Sequence, residues 1–243
     1  MKRILISYLI IFVAQFSLRA QASSEDLIKA MKEKRAAESM HIISSGPGGP
    51  GKLVKDKPFA AEAITETVQV LLDGNRIVRR NVTKQYRDRS GRTRREQTIE
   101  AFGPSSPVNA KQIVFISDPV AKTDYILDPA AKTLRKFSQS GQTGSVPTES
   151  SEVKKEDLGK RIIEGMECTG TRVTATIPAG RIGNERPLIT VTETWYAPDI
   201  EAVVQSTTTD PRFGETSYHL RGVLRADQPP QLFEAPTDYK LNQ

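Results

Sequence analysis

Short apolar runs with a two-residue period, separated by turn residues, recur along this chain and limit the folds that it can adopt. The apolar positions are Ile64, Val68, Val70 and Leu72 in the first run and Val78, Val82 and Tyr86 in the second. Between the runs stands Asp73-Gly74-Asn75. Alternation with this period is typical of β-strands, and Asp-Gly between two such runs is typical of a hairpin turn. The pattern therefore predicts two long antiparallel strands joined by a tight turn.

Apolar runs separated by turn residues continue to the C-terminus. A turn at 88–91 leads into a strand at 92–102, and the segment 118–123 (Asp-Pro-Val-Ala-Lys-Thr) recurs as 128–133 (Asp-Pro-Ala-Ala-Lys-Thr), which predicts one turn used twice in a meander. Further strands are expected at 113–116, 125–127, 134–137, 161–164, 168–177, 188–196, 201–209 and 215–224. The polar segment 139–157 lacks periodicity and is expected to be an exposed loop, and 228–236 offers a brief helical turn. Roughly ten strands against one helix predict a mainly β protein, all-β or α+β.

The N-terminus has the pattern of an export signal. Lys2 and Arg3 precede an apolar run over 4–18, and Ala20-Gln21-Ala22 supplies small residues at the cleavage positions. We therefore expect residues 1–22 to be removed by cleavage between Ala22 and Ser23. A helix over 4–18 would reach only about 22 Å, short of a hydrocarbon core of about 30 Å. The mature chain is thus expected in the periplasm or outside the cell, without a transmembrane segment.

The first part of the mature chain is expected to be separate from the β-rich part. Residues 23–40 have a short helical pattern, which predicts either a solvated helix or a helix that binds a partner or a membrane surface. Residues 41–56 are a Gly/Pro-rich linker, and 57–243 form the β domain. The linker also resembles a phosphate-binding loop, but Pro47 and Pro50 lack the necessary N–H groups and Leu53 lacks the hydroxyl, so we reject nucleotide binding.

Positive charge is concentrated in one predicted hairpin. The formal net charge is +6, and removal of Lys2, Arg3 and Arg19 leaves +3. The segment 76–95 holds nine cations and one acid, so it carries +8 and the rest of the mature chain −5. Its candidate anion or partner surface consists of Arg76, Arg80 and Lys84 on one strand and Arg92 and Arg94 on the next.

Two interpretations of this hairpin stay open. In one, the hairpin is a solvated sheet face whose charge is offset by glutamates, of which Glu62, Glu66, Glu96 and Glu100 are candidates. In the other, it binds an acidic protein, another polyanion or anionic lipid head groups. Nucleic acid is disfavoured because only Tyr86 and Phe102 lie nearby as stacking aromatics.

No catalytic or metal-binding constellation is recognisable in the sequence. The chain has one cysteine and two histidines, and it lacks a nucleophile elbow and calcium-loop spacing. We expect a non-enzyme without a cofactor, in which Cys168 is a buried small apolar residue. The loop 178–187 is bounded by prolines, and it is either a structural connector or a ligand rim formed by Arg181, Asn184, Glu185 and Arg186.

The order of short motifs in the C-terminal third resembles the periplasmic lipoprotein-carrier half-barrel family, including the sensor domain of a periplasmic anti-sigma regulator. The motifs are 163–168 (Ile-Glu-Gly-Met-Glu-Cys), 192–199 (Thr-Glu-Thr-Trp-Tyr-Ala-Pro-Asp), 203–205 (Val-Val-Gln), 218–223 (Tyr-His-Leu-Arg-Gly-Val) and 232–236 (Leu-Phe-Glu-Ala-Pro). The segment 57–236 is also similar to exported bacterial proteins without an assigned activity. The resemblance implies one curved antiparallel sheet or half-barrel that shelters acyl chains or an apolar peptide. This sequence departs from the family by carrying many Arg and Thr residues on both sides of its strands.

Two hypotheses about function follow. The first is an exported non-enzymatic binding protein of the cell envelope that sequesters a lipid or other apolar ligand on a curved β-sheet. The second is an envelope interaction or sensor module that binds an acidic protein or polyanion through the Arg-rich hairpin 76–95.

Overall fold

The computed structural model describes residues 53–99, 111–139 and 152–242. The predicted signal peptide with its cleavage site at Ala22–Ser23, the helix 23–40 and most of the linker 41–56 lie outside the described residues. The last linker residues lie inside them: Val54 is buried, and the backbone N–H of Asp56 donates to the carbonyl of Arg89 at 2.9 Å. Ordered packing thus begins before the first strand.

The described residues form twelve strands in one open, curved sheet. The strands are β1 (Phe59–Val70), β2 (Arg76–Arg87), β3 (Thr93–Ile99), β4 (Lys111–Asp118), β5 (Thr123–Asp128), β6 (Thr133–Ser138), β7 (Glu152–Ile163), β8 (Met166–Ile177), β9 (Leu188–Ala197), β10 (Ala202–Asp210), β11 (Gly214–Leu224) and β12 (Lys240–Leu241). A single 3-10 turn, Pro230–Phe233, precedes β12. The predicted mainly β, antiparallel architecture is confirmed.

The sheet consists of two meanders joined side by side. Its strand order is β12-β6-β5-β4-β3-β2-β1-β11-β10-β9-β8-β7. β1 to β6 form one meander and β7 to β11 the other, and antiparallel pairing of β1 with β11 joins them. Only β12 is parallel to its neighbour, β6.

The expected number of about ten strands was too low. β7 begins at Glu152, inside the segment 139–157 that was expected to be a loop, and pairs with β8 along its whole length. Its first residues are polar because β7 is an edge strand with exposed side chains, so the apolar alternation that marks a half-buried strand is missing. β12 was missed because it has only two residues.

The repeated Asp-Pro motif is confirmed as one turn used twice. The Oδ1 atom of Asp118 accepts hydrogen bonds from the backbone N–H groups of Val120 and Ala121, at 2.9 and 2.8 Å. At the second copy, Asp128 Oδ1 accepts from the N–H of Ala131 at 3.2 Å. The lysine that ends each copy has a left-handed backbone, with φ of 51° at Lys122 and 49° at Lys132.

The core consists of two hydrophobic clusters. The first extends from β1 across β11 to β8 and includes Phe59, Ala61, Ala63, Met166, Cys168, Trp195, Ala197, Ile200, Ala202, Val204 and Leu220. Cys168 is fully buried, as predicted, and burial raises the pKa of its thiol. The second cluster, Val114, Ile116, Leu127 and Leu134, is covered by the C-terminal segment through Ala235 and Tyr239.

The register defines two faces of the sheet near β1. On one face, which we call the Tyr218 face, lie Ala61, Ala63, Gln85, Arg95 and Tyr218. The hydroxyl of Tyr218 on β11 donates to Oε1 of Gln85 on β2 at 3.4 Å, although β1 lies between these strands. The alanines on β1 are small enough to let the two side chains meet above them. The second core cluster lies on the opposite face.

Candidate functional site

The three predicted surface cations of β2 lie on the face opposite the Tyr218 face. Arg76, Arg80 and Lys84 are all exposed. Arg80 stands directly opposite Glu66, and Lys84 stands between Glu62 on β1 and Glu96 on β3. Cross-strand acids therefore offset part of the repulsion between these cations.

The other two predicted surface cations make contacts within the chain. Nε of Arg92 donates to Asp88 at 2.6 Å, and the Arg92 guanidinium lies 5.4 Å from the centre of the Phe233 ring. Nε of Arg94 donates to Glu96 at 2.8 Å, and its Nη1 donates to the carbonyl of Leu232 at 3.0 Å. Both side chains thus hold the C-terminal segment against β3.

The loop between β8 and β9 is held together by Asn184. Its amide nitrogen donates to the carbonyls of Pro178 and Arg186 at 2.9 and 2.7 Å, while its amide oxygen accepts from the N–H of Ile182 at 3.1 Å. The Asn184 side chain therefore supports the connector. The side chains of the other predicted rim residues, Arg181, Glu185 and Arg186, are exposed.

Three neighbouring connections project from one end of the sheet. Because consecutive strands are antiparallel, the β1–β2 turn, the β8–β9 loop and the β10–β11 turn all lie at the end where β1 finishes, as does the β5–β6 turn farther along the sheet. The first three follow one another along six neighbouring strands, a span of about 24 Å at 4.8 Å per strand. We call the residues 70–76, 178–187 and 211–213 the tip edge.

The tip edge combines exposed apolar side chains with arginines. The exposed apolar residues are Val70, Leu71, Leu72, Ile182 and Phe213, and Leu72 is completely exposed. The tip edge also carries Arg76, Arg181, Arg186 and Arg212, against the acids Asp73 and Glu185. The hairpin and the loop are separate candidates in the sequence, whereas the strand order places them on one edge.

A cleft beside the tip edge lies between two of its turns. A cleft of about 200 Å³ is lined by Phe213 from the β10–β11 turn and by Thr67, Gln69, Ile77 and Arg79 from the β1–β2 hairpin. The turn itself is braced by Asp210, whose carboxylate accepts from Nε and Nη2 of Arg212 at 2.9 and 2.6 Å and from the Thr190 hydroxyl at 2.9 Å. The hydrogen bonds from Arg212 lower the pKa of Asp210 to about 2.

A second candidate site lies on the Tyr218 face around Arg95. Arg95 is opposite Gln85 on β2 and Phe115 on β4, and its guanidinium lies 4.6 Å from the centre of the Phe115 ring. Burial lowers the pKa of Arg95 to about 10, and the nearby Tyr218 partly opposes this shift. Burial also disfavours the charged form of Tyr218 and therefore raises the pKa of its hydroxyl to about 12. In the sequence, Arg95 is one of nine hairpin cations and nothing distinguishes it, because its neighbours on β4 and β11 lie far away along the chain.

Hydroxyl groups cover much of the Tyr218 face. One cross-strand row contains Thr171, Thr194, Ser206, Tyr218 and Thr65, and the next contains Val173, Thr192, Thr208, Thr216 and Thr67. Hydroxyl oxygens in the second row lie 3.2 Å apart in the pair Thr67–Thr216 and 3.1 Å apart in the pair Thr192–Thr208. The rows end at charged residues, Asp157 and Lys155 on β7 and Arg79 on β2, so this part of the face is polar and differs from the apolar lining of an acyl-chain cavity.

Within residues 53–99, 111–139 and 152–242, no group of three or more His, Cys, Asp or Glu side chains is arranged to hold a metal ion. Over the same part of the chain, no helix has the length and apolar character needed to cross a membrane.

Comparison with solved structures returns matches of low sequence identity to bacterial proteins. A LolA superfamily protein from Nitrosomonas europaea matches at 10% identity over 74% of this chain and 91% of its own, with a TM-score of 0.30. The lipoprotein LppX from Mycobacterium tuberculosis matches at 14% identity over 71% and 90%, with a TM-score of 0.33. The Pseudomonas aeruginosa MucA/MucB complex matches at 10% identity over 76% of this chain, with a TM-score of 0.42.

These likenesses concern the outline of the fold alone. This chain spans 58% of the matched chain in the MucA/MucB complex, so part of that protein has no counterpart here. No family model and no curated protein sequence matches this chain.

Proposed function

We propose that this chain is an exported, non-enzymatic binding protein of the cell envelope that works at an anionic lipid surface. In this proposal the tip edge contacts the membrane, and the curved sheet behind it provides the surface for a lipid or another amphiphilic ligand. The likeness to carrier-type folds is compatible with such a role but does not carry the proposal.

The observation that carries the proposal is the composition of the tip edge. Three neighbouring turns present Leu71, Leu72, Ile182 and Phe213 to solvent beside Arg76, Arg181 and Arg186, while Arg212 is paired with Asp210. Exposed apolar residues at the ends of turns are unfavourable in water, and their grouping with cations fits an interface that contains both acyl chains and anionic head groups.

The expected binding free energies indicate that the tip edge would bind a membrane reversibly. Burial of one leucine or phenylalanine side chain contributes about 1.5–3 kcal/mol. A cation near an anionic surface contributes about 1 kcal/mol, and salt weakens that part. A few inserted side chains with a few arginines would therefore give several kcal/mol, enough for docking but far less than a membrane-spanning segment provides.

Vesicle co-sedimentation of the mature chain tests the proposal. We expect binding to phosphatidylcholine vesicles that contain phosphatidylglycerol, weaker binding to pure phosphatidylcholine, and a decrease as salt is raised. Leu72→Asp should reduce binding at least tenfold, because it replaces an apolar tip by a charge that the anionic surface repels.

Val120→Asp is the matched control for Leu72→Asp. Val120 is also exposed, but it lies in the β4–β5 turn at the opposite end of the sheet. This variant should bind vesicles as the unmodified chain does. Equal loss in both variants, or no vesicle binding by the unmodified chain, would exclude docking through the tip edge.

A second candidate function is binding of an acidic envelope protein through the hairpin. It is favoured by the exposure of Arg80 and Lys84 on the face opposite the Tyr218 face. Paired reversal to Glu at these two positions should then abolish a salt-sensitive pull-down and leave the effect of Leu72→Asp on vesicles unchanged. Arg92 and Arg94 are less suitable for this test because both hold the C-terminal segment.

A further inference from the structure

We propose that Arg95, with Tyr218 and Gln85, forms a subsite on the Tyr218 face for the oxyanion of an amphiphilic ligand, either a carboxylate or a phosphate. This inference rests on the proposed function, because it specifies the class of ligand that the curved sheet holds.

The environment of Arg95 supplies no countercharge from the described part of the chain. Its Nε atom is buried without a hydrogen-bond partner, and no carboxylate from residues 53–99, 111–139 or 152–242 forms an ion pair with it. The residues opposite it, Gln85 and Phe115, are neutral. Burial removes water from the guanidinium, and no anion replaces the lost interactions, so the charged group is destabilised.

Other partly buried arginines of the sheet show what Arg95 lacks. Arg92 pairs with Asp88, Arg94 with Glu96 and Arg212 with Asp210, each at 2.6 to 2.8 Å. Arg87, which is buried, donates to the carbonyl groups of Lys57 and Ile200. An oxyanion from a ligand would give Arg95 the partner that these arginines find within the chain.

The neighbouring groups suit an oxyanion rather than a cation. The Tyr218 hydroxyl and the Gln85 side-chain amide both carry donors, and they meet beside the guanidinium. On binding, the Tyr218 hydroxyl could turn from Gln85 Oε1 to the ligand. Two guanidinium N–H groups and one hydroxyl would then surround the anion.

An apolar strip beside Arg95 fits the tail of the same ligand. Phe115 is opposite Arg95 and Ile126 is opposite Phe115, and Ile113 shares their face of the sheet. Ile113 and Ile126 also line one part of a cleft of about 450 Å³ at the ends of β4 to β6, where Lys111, Asp128 and Arg135 form its charged part. A ligand with an anionic head at Arg95 and a chain along β4 and β5 would cover both features.

Binding of single-chain amphiphiles to the mature protein tests the subsite. The probes are oleate, oleoyl lysophosphatidate and oleyl alcohol, measured by isothermal titration below their critical micelle concentrations. We expect at least one anionic probe to bind about tenfold or more tightly than the alcohol. The stronger of the two anions identifies the carboxylate or the phosphate as the preferred head group.

Three variants make the result specific. Arg95→Gln should reduce the affinity for the preferred anion about tenfold while leaving oleyl alcohol unchanged, and Tyr218→Phe should cause a smaller loss. Arg221→Gln removes the same charge from the opposite face of the sheet and should bind as the unmodified chain does. Thermal unfolding of Arg95→Gln should show little loss of stability, because relief of a partly buried cation without an ion pair offsets the lost contact of the guanidinium with the Phe115 ring.

The subsite is overturned if Arg95→Gln binds the anion as the unmodified chain does, if oleyl alcohol competes equally with both anions, or if no anionic probe binds. Vesicle docking is a separate readout. Arg95→Gln should retain it, whereas Leu72→Asp should lose it and keep the probe affinity. Failure of the subsite is thereby distinguishable from failure of the proposed function.

Discussion

Arginine side chains show how strongly position decides the role of a residue in this protein. The sequence places nine cations in 76–95 without distinguishing them. In the structure, Arg80 is exposed opposite Glu66, Arg87 is buried against backbone carbonyls, and Arg95 lies beside neutral groups. The same charge is therefore solvated, structural or available to a ligand according to the residues that fold beside it.

A pH effect at the residue scale is expected from Asp210. Its pKa is about 2 in the folded chain against an ordinary 3.8, so the unfolded chain binds more protons between these values. The stabilisation is present above pH 4 and is lost as the pH falls toward 2, with a size on the order of 2 kcal/mol. Asp210→Asn should lower the urea midpoint at pH 7 and flatten its decrease in acid.

Glu215→Gln provides the comparison for Asp210→Asn. Glu215 is exposed near the same turn, and its replacement should leave the acid profile of the urea midpoint as it is. If Asp210→Asn follows the unmodified profile between pH 4 and 2, the bracing role of Asp210 is wrong.

At the scale of elements, the C-terminal segment acts as a cover for β4, β5 and β6. Phe233 is buried in the 3-10 turn, and Ala235 and Tyr239 pack on the second core cluster. The segment ends by adding β12 to β6, with the N–H of Lys240 donating to the carbonyl of Lys132 at 2.9 Å. These strands would otherwise expose Val114, Ile116 and Leu127 on a single-layer sheet.

Phe233→Ala should therefore destabilise one part of the sheet preferentially. Loss of a buried phenylalanine costs about 3–5 kcal/mol, and the cost should fall on the elements that it covers. The turn that holds Phe233 contacts β3 and β4, so hydrogen exchange is expected to accelerate in these strands more than in β8–β10. Phe213→Ala is the matched replacement of an exposed phenylalanine and should leave exchange in β3 and β4 unchanged. Uniform acceleration by Phe233→Ala would contradict a local covering role.

At the scale of the whole molecule, the pairing of β1 with β11 unites the two meanders. The paired residues are far apart in sequence, as Ala63 opposite Leu220 shows, so closing this ladder is entropically costly during folding. Leu220 is almost completely buried at this junction and belongs to the first core cluster. Stability of both meanders should depend on it.

Leu220→Ala should lower the free energy of unfolding by about 2–5 kcal/mol. In contrast to Phe233→Ala, it should accelerate hydrogen exchange in strands of both meanders, including β2 and β9. Leu224→Ala, at an exposed leucine on the same strand, serves as the comparison and should have little effect. Exchange that changes only in β9–β11 would show that the meanders are stable independently.

The local pattern was sufficient to predict most strands and turns. Period-two alternation identified the β1–β2 hairpin, and the repeated Asp-Pro motif identified a turn whose side-chain hydrogen bonds are local. The alternation of apolar residues did not reveal β7, because an exposed edge strand needs no apolar side and its backbone hydrogen bonds are formed with β8. Burial of Cys168 was predictable because an isolated cysteine behaves as a small apolar residue.

The β-rich class, the turn positions and the concentration of cations in one hairpin follow from the amino-acid sequence, because they depend on neighbours along the chain. The shared edge of the β1–β2 and β8–β9 turns, and the meeting of Arg95 with Tyr218 and Phe115, are visible only in the folded sheet. Those relations depend on strand order and register, which result from long-range pairing such as that of β1 with β11. Charge and apolarity can be read from residues, but their combination into a surface requires the fold.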